Sequence, residues 1–236
     1  MKCAVVIPVY KSSLNDNELI SIRRTVSILS HSDIILVGPE SLDYTAYHQE
    51  YKDFKIELFN NYFFSNISGY NQLMMSSSFY RRFENYDYIL ICQLDAYVFK
   101  DELLDWCQKN YDYIGAPWIV APPALPKQKK PIIDFAKKMI GTVGNGGFSL
   151  RKVKTHLRIS KILSLFKKFF PKNEDFFWCY IVPKFFKYKR PTASEALKFA
   201  FELAPSLSFE KNHRQLPFGC HAWEKYEPDF WKDYIK

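Results

Sequence analysis

Two short apolar runs separated by an amphipathic stretch open the chain, and this pattern restricts it to an α/β fold. Residues 3–9 form a continuous run rich in β-branched side chains, which is typical of a strand buried on both faces of a parallel sheet. Residues 18–29 carry apolar side chains at helical spacing, with capping residues just before them, and residues 34–37 form a second apolar run that ends in Gly-Pro. This order predicts a βαβ unit.

Three further segments extend the prediction. Residues 54–59 alternate between apolar and polar side chains and predict a half-exposed third strand, while residues 70–83 predict one helix that bears Leu73, Met74 and Phe79. Residues 88–92 are the most apolar run of the chain and predict a central strand. The predicted fold class is α/β, with a mixed, mostly parallel central sheet flanked by helices.

The length of 236 residues favours a single domain over two. A hydrophobic fraction of 47% with 25% charged residues excludes a disordered chain, and the 18% of aromatic residues must fill a core, line a cleft or sit at an interface. Residues 119–131 are rich in proline and lysine and predict an exposed loop, which divides a first half, residues 1–118, from a second half, residues 132–236.

Charge and cysteine usage restrict partners and compartment. The net charge of +8 predicts an anionic partner, such as a phosphate, a nucleic acid or an acidic lipid surface. The five cysteines are odd in number and contain no Cys-x-x-Cys pair, so we expect reduced thiols in a cytosolic protein. No run approaches the roughly 18 apolar residues of a membrane span, and the short apolar start does not fit a signal peptide.

Asp95 follows the central strand, where open α/β sheets place their ligands. A carboxylate at the end of a buried strand is costly unless it meets a cation or hydrogen-bond donors, and a divalent metal that bridges two phosphates would supply that cation. The alternative is a structural aspartate that caps the helix predicted near residues 101–108.

Two polar segments of the second half carry candidate site residues. Residues 144–147 contain three of the eight glycines, which fits a close approach to a ligand or a plain tight turn. Asn173, Glu174 and Asp175 precede an aromatic run at a predicted helix start, where acids either interact with the helix dipole or act as a general base in a desolvated cleft.

His221 lies between a glycine and a tryptophan near the end of the chain, and it fits either a satisfied core histidine or a metal or phosphate contact. Residues 158–170 predict a basic amphipathic helix. Such a helix packs on its own core with a solvated basic face, or it lies on an anionic membrane.

The order of these segments resembles the nucleotide-sugar glycosyltransferases with the A-type (GT-A) fold. In that fold an opening strand like residues 5–10 begins a Rossmann-related nucleotide-binding half, and an Asp-x-Asp motif at a later strand end holds a metal on the diphosphate. Gln93-Leu94-Asp95 is similar to that motif, with glutamine in place of the first acid. More closely, the segments around residues 93–96, 113–118, 144–151, 173–175 and 218–221 resemble a largely uncharacterised family of bacterial and fungal glycosyltransferase-like proteins.

The resemblance implies a role for each matching residue. Glu174 and Asp175 correspond to the catalytic acid pair, with Asp175 as the base, and Asp95 and His221 correspond to the ligands of Mg²⁺ or Mn²⁺. The remaining matches imply contacts to the nucleoside diphosphate sugar, and they are Pro8, Tyr10, Gln93, Asp95, Trp118, Asn145, Gly146 and Gly147. The two predicted halves then become a nucleotide-binding half and an acceptor and catalytic half.

The function implied is transfer of a sugar from a nucleoside diphosphate sugar to a hydroxyl of a glycan or lipid-linked acceptor. A role in assembly of bacterial surface glycans would place the protein in the cytoplasm or on the inner face of the membrane, which it would contact through residues 158–170. The alternative is a non-catalytic scaffold that binds anionic lipid through the same helix. Nucleic-acid binding ranks last, because the sequence has no helix-turn-helix, RNP or zinc-finger motif.

Overall fold

A mixed, mostly parallel sheet forms the centre of the computed structural model, which describes residues 1–121, 139–164 and 173–236. Its strands are β1 (Cys3–Pro8), β2 (Asp33–Pro39), β3 (Lys55–Phe59), β4 (Tyr88–Cys92), β6 (Tyr113–Gly115) and β7 (Phe148–Lys152). Within the described residues the strand order of this larger sheet is β3-β2-β1-β4-β7-β6. Among these six strands β7 alone runs in the opposite direction, antiparallel to both β4 and β6. The predicted fold class is confirmed.

A small second sheet forms beside the end of β4. It consists of β5 (Ala96–Val98), β8 (Ala200–Phe201) and β9 (Gly219–His221), with β9 in the middle. β5 and β9 are antiparallel, and their register pairs Ala96 with His221. This pairing brings two parts of the chain that are more than 120 residues apart into direct contact.

Helices pack around the two sheets. Their bounds are α1 (Asp16–Leu29), α2 (Thr45–Glu50), α3 (Ile67–Met74), α4 (Ser77–Arg82), α5 (Leu103–Gln108), α6 (Val153–Leu163), α7 (Glu174–Phe176), α8 (Val182–Phe185), α9 (Ala193–Phe199), α10 (Pro205–Lys211) and α11 (Pro228–Trp231). The last two of them, α10 and α11, contribute to the hydrophobic cluster that includes residues of the small sheet. A 3₁₀ turn at Asn61–Phe64 precedes α3, and a π-helical turn at Phe177–Ile181 joins α7 to α8. α1 begins two residues before its predicted start, and Asn15, one of the predicted capping residues, forms a capping box with Glu18.

The single helix predicted over residues 70–83 is wrong, because two helices occupy this segment. α3 ends at Met74, and Ser76 caps α4 by accepting a hydrogen bond from the backbone N–H of Phe79 at 3.1 Å. The apolar periodicity runs through the break because Met74 and Phe79 both face the core. A new helix nevertheless starts after Ser76, because the serine hydroxyl accepts a hydrogen bond from a backbone N–H that has no partner within the first turn of the helix.

The core lies on both faces of the larger sheet. Alternate residues of β1 point to opposite faces, so that Val5 and Ile7 pack in one cluster and Ala4 and Val6 in the other. This explains why the run has no polar alternation. All five cysteines are buried and free, as predicted.

Two predicted segments fall partly outside the described residues. Residues 122–131 of the proline and lysine loop and residues 165–170 of the basic helix are not described, and the division at 119–131 stays a prediction. α6 begins at Val153, five residues before the predicted start, and buries Ile159 and Leu163 while Ile162 is exposed. None of the described helices combines the length and the apolar character needed to cross a membrane.

Candidate functional site

The carboxyl ends of β1 and β4 meet at one edge of the larger sheet. Pro8 ends β1, and Gln93 to Asp95 follow directly after β4. The pairing of β5 with β9 then places His221 against Asp95. The edge at which parallel strands end is where α/β proteins bind ligands, so this placement agrees with the prediction from sequence.

His221 is the centre of a polar cluster. Its Nε2 atom lies 3.1 Å from Oε1 of Gln93 and 3.2 Å from Oδ1 of Asp95. Its Nδ1 atom lies 3.1 Å from Oε1 of Glu202 and 3.1 Å from Nδ2 of Asn145. Gln93 in turn donates a hydrogen bond of 2.9 Å to the hydroxyl of Tyr70. The sequence motifs around residues 93 and 221 therefore form one site.

The carboxylates set the charge of this cluster. Burial lowers the pKa of the His221 imidazole, but Asp95 and Glu202 raise it more, to about 10. Burial also raises the pKa of the Asp95 carboxyl, and the attraction of His221 outweighs this and holds that pKa below its ordinary value. The two carboxylates therefore favour the protonated form of the imidazole, which can donate to Asp95 through Nε2 and to Glu202 through Nδ1.

The pair Gly146 and Gly147 separates His221 from the two acids. A Cβ atom at Gly147 would overlap the imidazole of His221, and one at Gly146 would overlap the carboxylates of Glu174 and Asp175. Asn145 fixes the turn, since its Oδ1 accepts a hydrogen bond of 2.7 Å from the N–H of Gly147. The glycines are therefore required for close packing, and the turn joins the two groups of ionisable side chains.

Glu174 and Asp175 begin α7, and Asn173 caps it by accepting from the N–H of Phe176 at 2.9 Å. Both carboxylate oxygens of Glu174 lie 3.2 Å from Nη2 of Arg151, in an ion pair whose side chains are at most 4% exposed. The helix continues into the π-helical turn, a feature found frequently at functional sites.

Asp175 is left without such a partner. Its Oδ1 atom is buried and has no hydrogen-bond partner among the described residues. Burial raises the pKa of the Asp175 carboxyl well above its usual range, and the adjacent Glu174 carboxylate adds to the effect. A carboxyl group with a raised pKa and a free oxygen is suited to accept or donate a proton.

This environment predicts a pH-dependent gain in stability for Asp175→Asn. A raised carboxyl pKa means that the folded state holds the proton more tightly than the unfolded state. The protonated Asp175 therefore contributes to the free energy of unfolding near pH 4, and this contribution is lost as the pH rises through the pKa of Asp175 in the folded state. The melting temperature of the variant should exceed that of the wild type at pH 8, by about 2–4 °C per kcal/mol in a chain of this size. The difference should shrink towards pH 4; a difference that is independent of pH contradicts the assignment.

A cavity of about 700 Å³ opens at the same edge of the sheet. Of the predicted residues Pro8, Tyr10, Gln93 and Asp95 line it, and His221 adjoins it through its contacts to the last two. Other described residues of its wall are Lys11, Asn15, Glu18, Phe64, Ser65, Asn66, Ile67, Tyr70, Leu94, Glu224 and Lys225. The lining includes aromatic and aliphatic residues as well as charged ones, which suits a ligand with both apolar and charged parts.

The other predicted residues are not among the described residues that line this cavity. These include Gly146 and Gly147 of the turn, and Glu174 and Asp175, which lie across the turn from His221. Trp118 is half-buried, bonds through its backbone to Thr142 and Gly141, and is not among the described residues that line the cavity. Asn145 is buried beside His221 and holds the glycine turn, so its amide is occupied by the protein.

The described side chains around His221 include the types of ligand atom that a divalent metal binds, but they provide too few of them. Adjacent ligands of an octahedral Mg²⁺ are about 3 Å apart, which is the spacing of Nε2 of His221 from the oxygens of Gln93 and Asp95. In residues 1–121, 139–164 and 173–236, however, no three His, Cys, Asp or Glu side chains are grouped as a metal site. A metal at this position would need oxygen atoms from a ligand to complete its coordination.

Four residues of the site are not among the functional groups that the sequence predicts. Glu202 follows β8 and bonds to His221, Lys225 and Tyr70 line the cavity, and Arg151 pairs with Glu174. Lys225 follows His221 by four residues, and this spacing is the one feature that could have identified it. Glu202 and Tyr70 are placed only by tertiary contacts.

Solved structures with the same fold include glycosyltransferases. Mouse xyloside xylosyltransferase 1 in its apo form matches with a TM-score of 0.54 at 11% identity, over 94% of this chain and 97% of that one. The glycosyltransferase GlyE of Streptococcus pneumoniae matches with a TM-score of 0.54 at 13% identity, over 99% of this chain and 60% of that one. At these identities the likeness shows the fold alone, and the fold is the A-type (GT-A) glycosyltransferase fold that the sequence resemblance implies.

No curated protein matches the chain in sequence. A family model does match, over residues 53–221, and its description is "Protein of unknown function (DUF5672)". Because the match covers well over half of the 236 residues, the chain belongs to the DUF5672 family.

Proposed function

We propose that this protein transfers a glycosyl group from a nucleoside diphosphate sugar to an acceptor hydroxyl. The observation that carries the proposal is the convergence of Gln93, Asp95 and His221 beside a cavity at the carboxyl ends of β1 and β4. The A-type fold adds support, because this edge of the sheet is a general ligand site in open α/β proteins.

The cavity suits the proposed donor in size and chemistry. Its volume of about 700 Å³ lies within the range of roughly 300–1,000 Å³ of small-molecule sites. Tyr10 and Phe64 offer aromatic surface to a planar base, and Pro8 adds apolar surface at the end of β1. Lys225 supplies positive charge for a diphosphate.

Asp95 and His221 would hold Mg²⁺ or Mn²⁺, with the Gln93 amide oxygen beside them and the donor diphosphate completing the set. The metal, when bound, supplies positive charge for the departing diphosphate. Since a metal ligand must be deprotonated, binding requires that His221 lose the proton that it shares with Asp95. Glu202 then keeps the imidazole in place through its contact to Nδ1.

Asp175 would accept the proton of the attacking hydroxyl in a direct displacement with inversion. Its free oxygen and raised pKa support this role. Glu174 holds both of its oxygens against Arg151, so we assign it to positioning rather than to proton transfer. The Gly146 and Gly147 turn lies between this acid and His221, and it would border the donor sugar.

We further propose a glycan or lipid-linked acceptor and a role in the assembly of bacterial surface glycans. The basic residues of α6 support contact with an anionic membrane surface from the cytoplasmic side, which is one of the two alternatives that the sequence leaves open for residues 158–170. Neither proposal involves nucleic acid.

A thermal-shift screen of nucleotide sugars with and without Mn²⁺ tests the function. A donor at about 100 times its dissociation constant adds about 2.7 kcal/mol of stability, so the melting temperature should rise by roughly 5–10 °C. Asp95→Ala should reduce this shift and its dependence on Mn²⁺, whereas Asp53→Ala, at an exposed site away from the cavity, should not. The absence of a shift with every nucleoside diphosphate sugar would refute the proposal.

A further inference from the structure

We propose that Arg151 and Glu174 form a positioning pair, which holds the Gly146 and Gly147 turn against the start of α7 so that Asp175 remains free to react. This inference deepens the proposed function and rests on it. Neither residue of the pair touches the reacting atoms in this proposal. Arg151 lies in one of the segments that carry the family resemblance, but the resemblance implies no role for it.

The contacts of Arg151 connect three parts of the site. The side chain is fully buried on β7, and its Nη2 atom lies 3.2 Å from each carboxylate oxygen of Glu174. The same nitrogen lies 3.3 Å from the carbonyl oxygen of Gly146. Nε donates to the hydroxyl of Ser149 at 3.0 Å, and Nη1 donates to the hydroxyl of Tyr80 at 3.0 Å. One guanidinium group therefore fixes the glycine turn and the first residue of α7 at once.

Stability alone does not account for a buried pair of this kind. The desolvation of two charges usually cancels their attraction, so that apolar residues of similar volume stabilise a core at least as well. The surroundings are suited to apolar residues, because the rings of Tyr113, His156 and Trp178 pack nearby. What an apolar pair lacks is a set of directed donors that hold the carbonyl oxygen of Gly146 and a carboxylate in one geometry.

Arg151 forms its ion pair with Glu174 and not with Asp175, and this leaves a carboxylate oxygen of Asp175 available for proton transfer. Glu174 and Asp175 are adjacent, yet the guanidinium bonds to both oxygens of the first and leaves Oδ1 of the second without a partner. An ion pair with Asp175 would stabilise its charged form and make it a weaker base. Pairing with Glu174 instead neutralises the neighbouring charge.

The test compares single variants with a double variant. Arg151→Met and Glu174→Met each leave a buried charge without its partner and should lower the melting temperature sharply. The double variant Arg151→Met/Glu174→Met should recover most of this loss, because no charge remains. Its turnover of the donor should nevertheless stay at least about 100-fold below wild type, with the donor Kd within about threefold, since small misplacements of reacting groups have effects of this size. Arg151→Lys, which keeps the charge without the fork, should be intermediate in turnover.

A matched control and a structural readout complete the experiment. Arg23→Met/Glu50→Met removes a surface Arg–Glu pair and should leave turnover unchanged. Hydrogen exchange of the unliganded protein should become at least about tenfold faster at the amides of Gly147 and Phe176 in the Arg151→Met/Glu174→Met variant, because both hydrogen bonds depend on the held geometry.

Wild-type turnover in the stable Arg151→Met/Glu174→Met variant, a loss of donor binding equal to the loss of turnover, or unchanged exchange at both amides would each overturn the inference. A wild-type protein that binds and transfers no donor would instead refute the proposed function. In that case the hydrogen-exchange comparison still decides whether the pair holds the turn, so the two failures are distinguishable.

Discussion

Asp175→Asn should lower turnover of the donor by about 10²–10⁴-fold, the usual contribution of a general base, while the donor Kd stays within about threefold of wild type. The reason is the loss of a basic group at unchanged side-chain size. Asparagine keeps the size of the side chain in a site closely packed against Gly146, but its amide cannot accept the proton of a hydroxyl. Single-turnover kinetics and direct binding measurements separate the two quantities.

Asp16→Asn provides a matched control, because Asp16 also lies in the first turn of a helix but is exposed and is not among the residues that line the cavity. Its turnover should equal that of the wild type. The anomeric configuration of the product, determined by NMR, should be inverted relative to the donor, as direct displacement requires. Wild-type turnover in Asp175→Asn, or a product that retains the configuration of the donor, would remove Asp175 as the base.

The first two strands of residues 1–118, the helix between them and the central strand follow from the sequence, whereas α2, β5 and β6 were not predicted. β1, β2 and β4 are continuous apolar runs because both faces of each strand are buried, and such runs are recognisable without any structural information. The break between α3 and α4 is not recognisable from periodicity, because the core contacts of Met74 and Phe79 continue the helical pattern across it. The short strands β8 and β9 carry no such pattern, since each is only two or three residues long and depends on its partner strand.

The sequence marks the positions of the candidate site residues, but it does not show which contacts each of them makes. Asp95 was identifiable because a carboxylate follows a strand that is otherwise apolar. Glu174 and Asp175 look alike in sequence, and only the contact with Arg151 separates a paired carboxylate from a free one. Glu202 lies 19 residues from His221, and no local pattern links a glutamate after a two-residue strand to that imidazole.

The adjacent glycines of the turn give a second large effect, with a different outcome at each position. Gly146→Ala places a methyl group against the carboxylates of Glu174 and Asp175, and Gly147→Ala places one against the imidazole of His221. Both sites are closely packed, so each variant should lose about 1–3 kcal/mol of stability, measured by urea unfolding. Gly146→Ala should mainly reduce turnover, whereas Gly147→Ala should mainly weaken donor binding and its dependence on Mn²⁺.

Gly141→Ala is a control that distinguishes the effects of steric overlap at Gly146 and Gly147 from the effect of backbone strain. Gly141 has a positive φ of 83°, but a Cβ atom there would meet nothing within 4 Å. Its replacement should therefore cost about 1–2 kcal/mol through the left-handed backbone alone and leave donor binding and turnover unchanged. The contradicting outcome is the same ratio of turnover loss to binding loss in Gly146→Ala and Gly147→Ala. In that case the turn would not separate Asp175, the proposed base, from His221, which we place beside the diphosphate. We expect opposite ratios, because a Cβ atom at Gly146 would meet the carboxylates of Glu174 and Asp175, whereas a Cβ atom at Gly147 would meet the imidazole of His221.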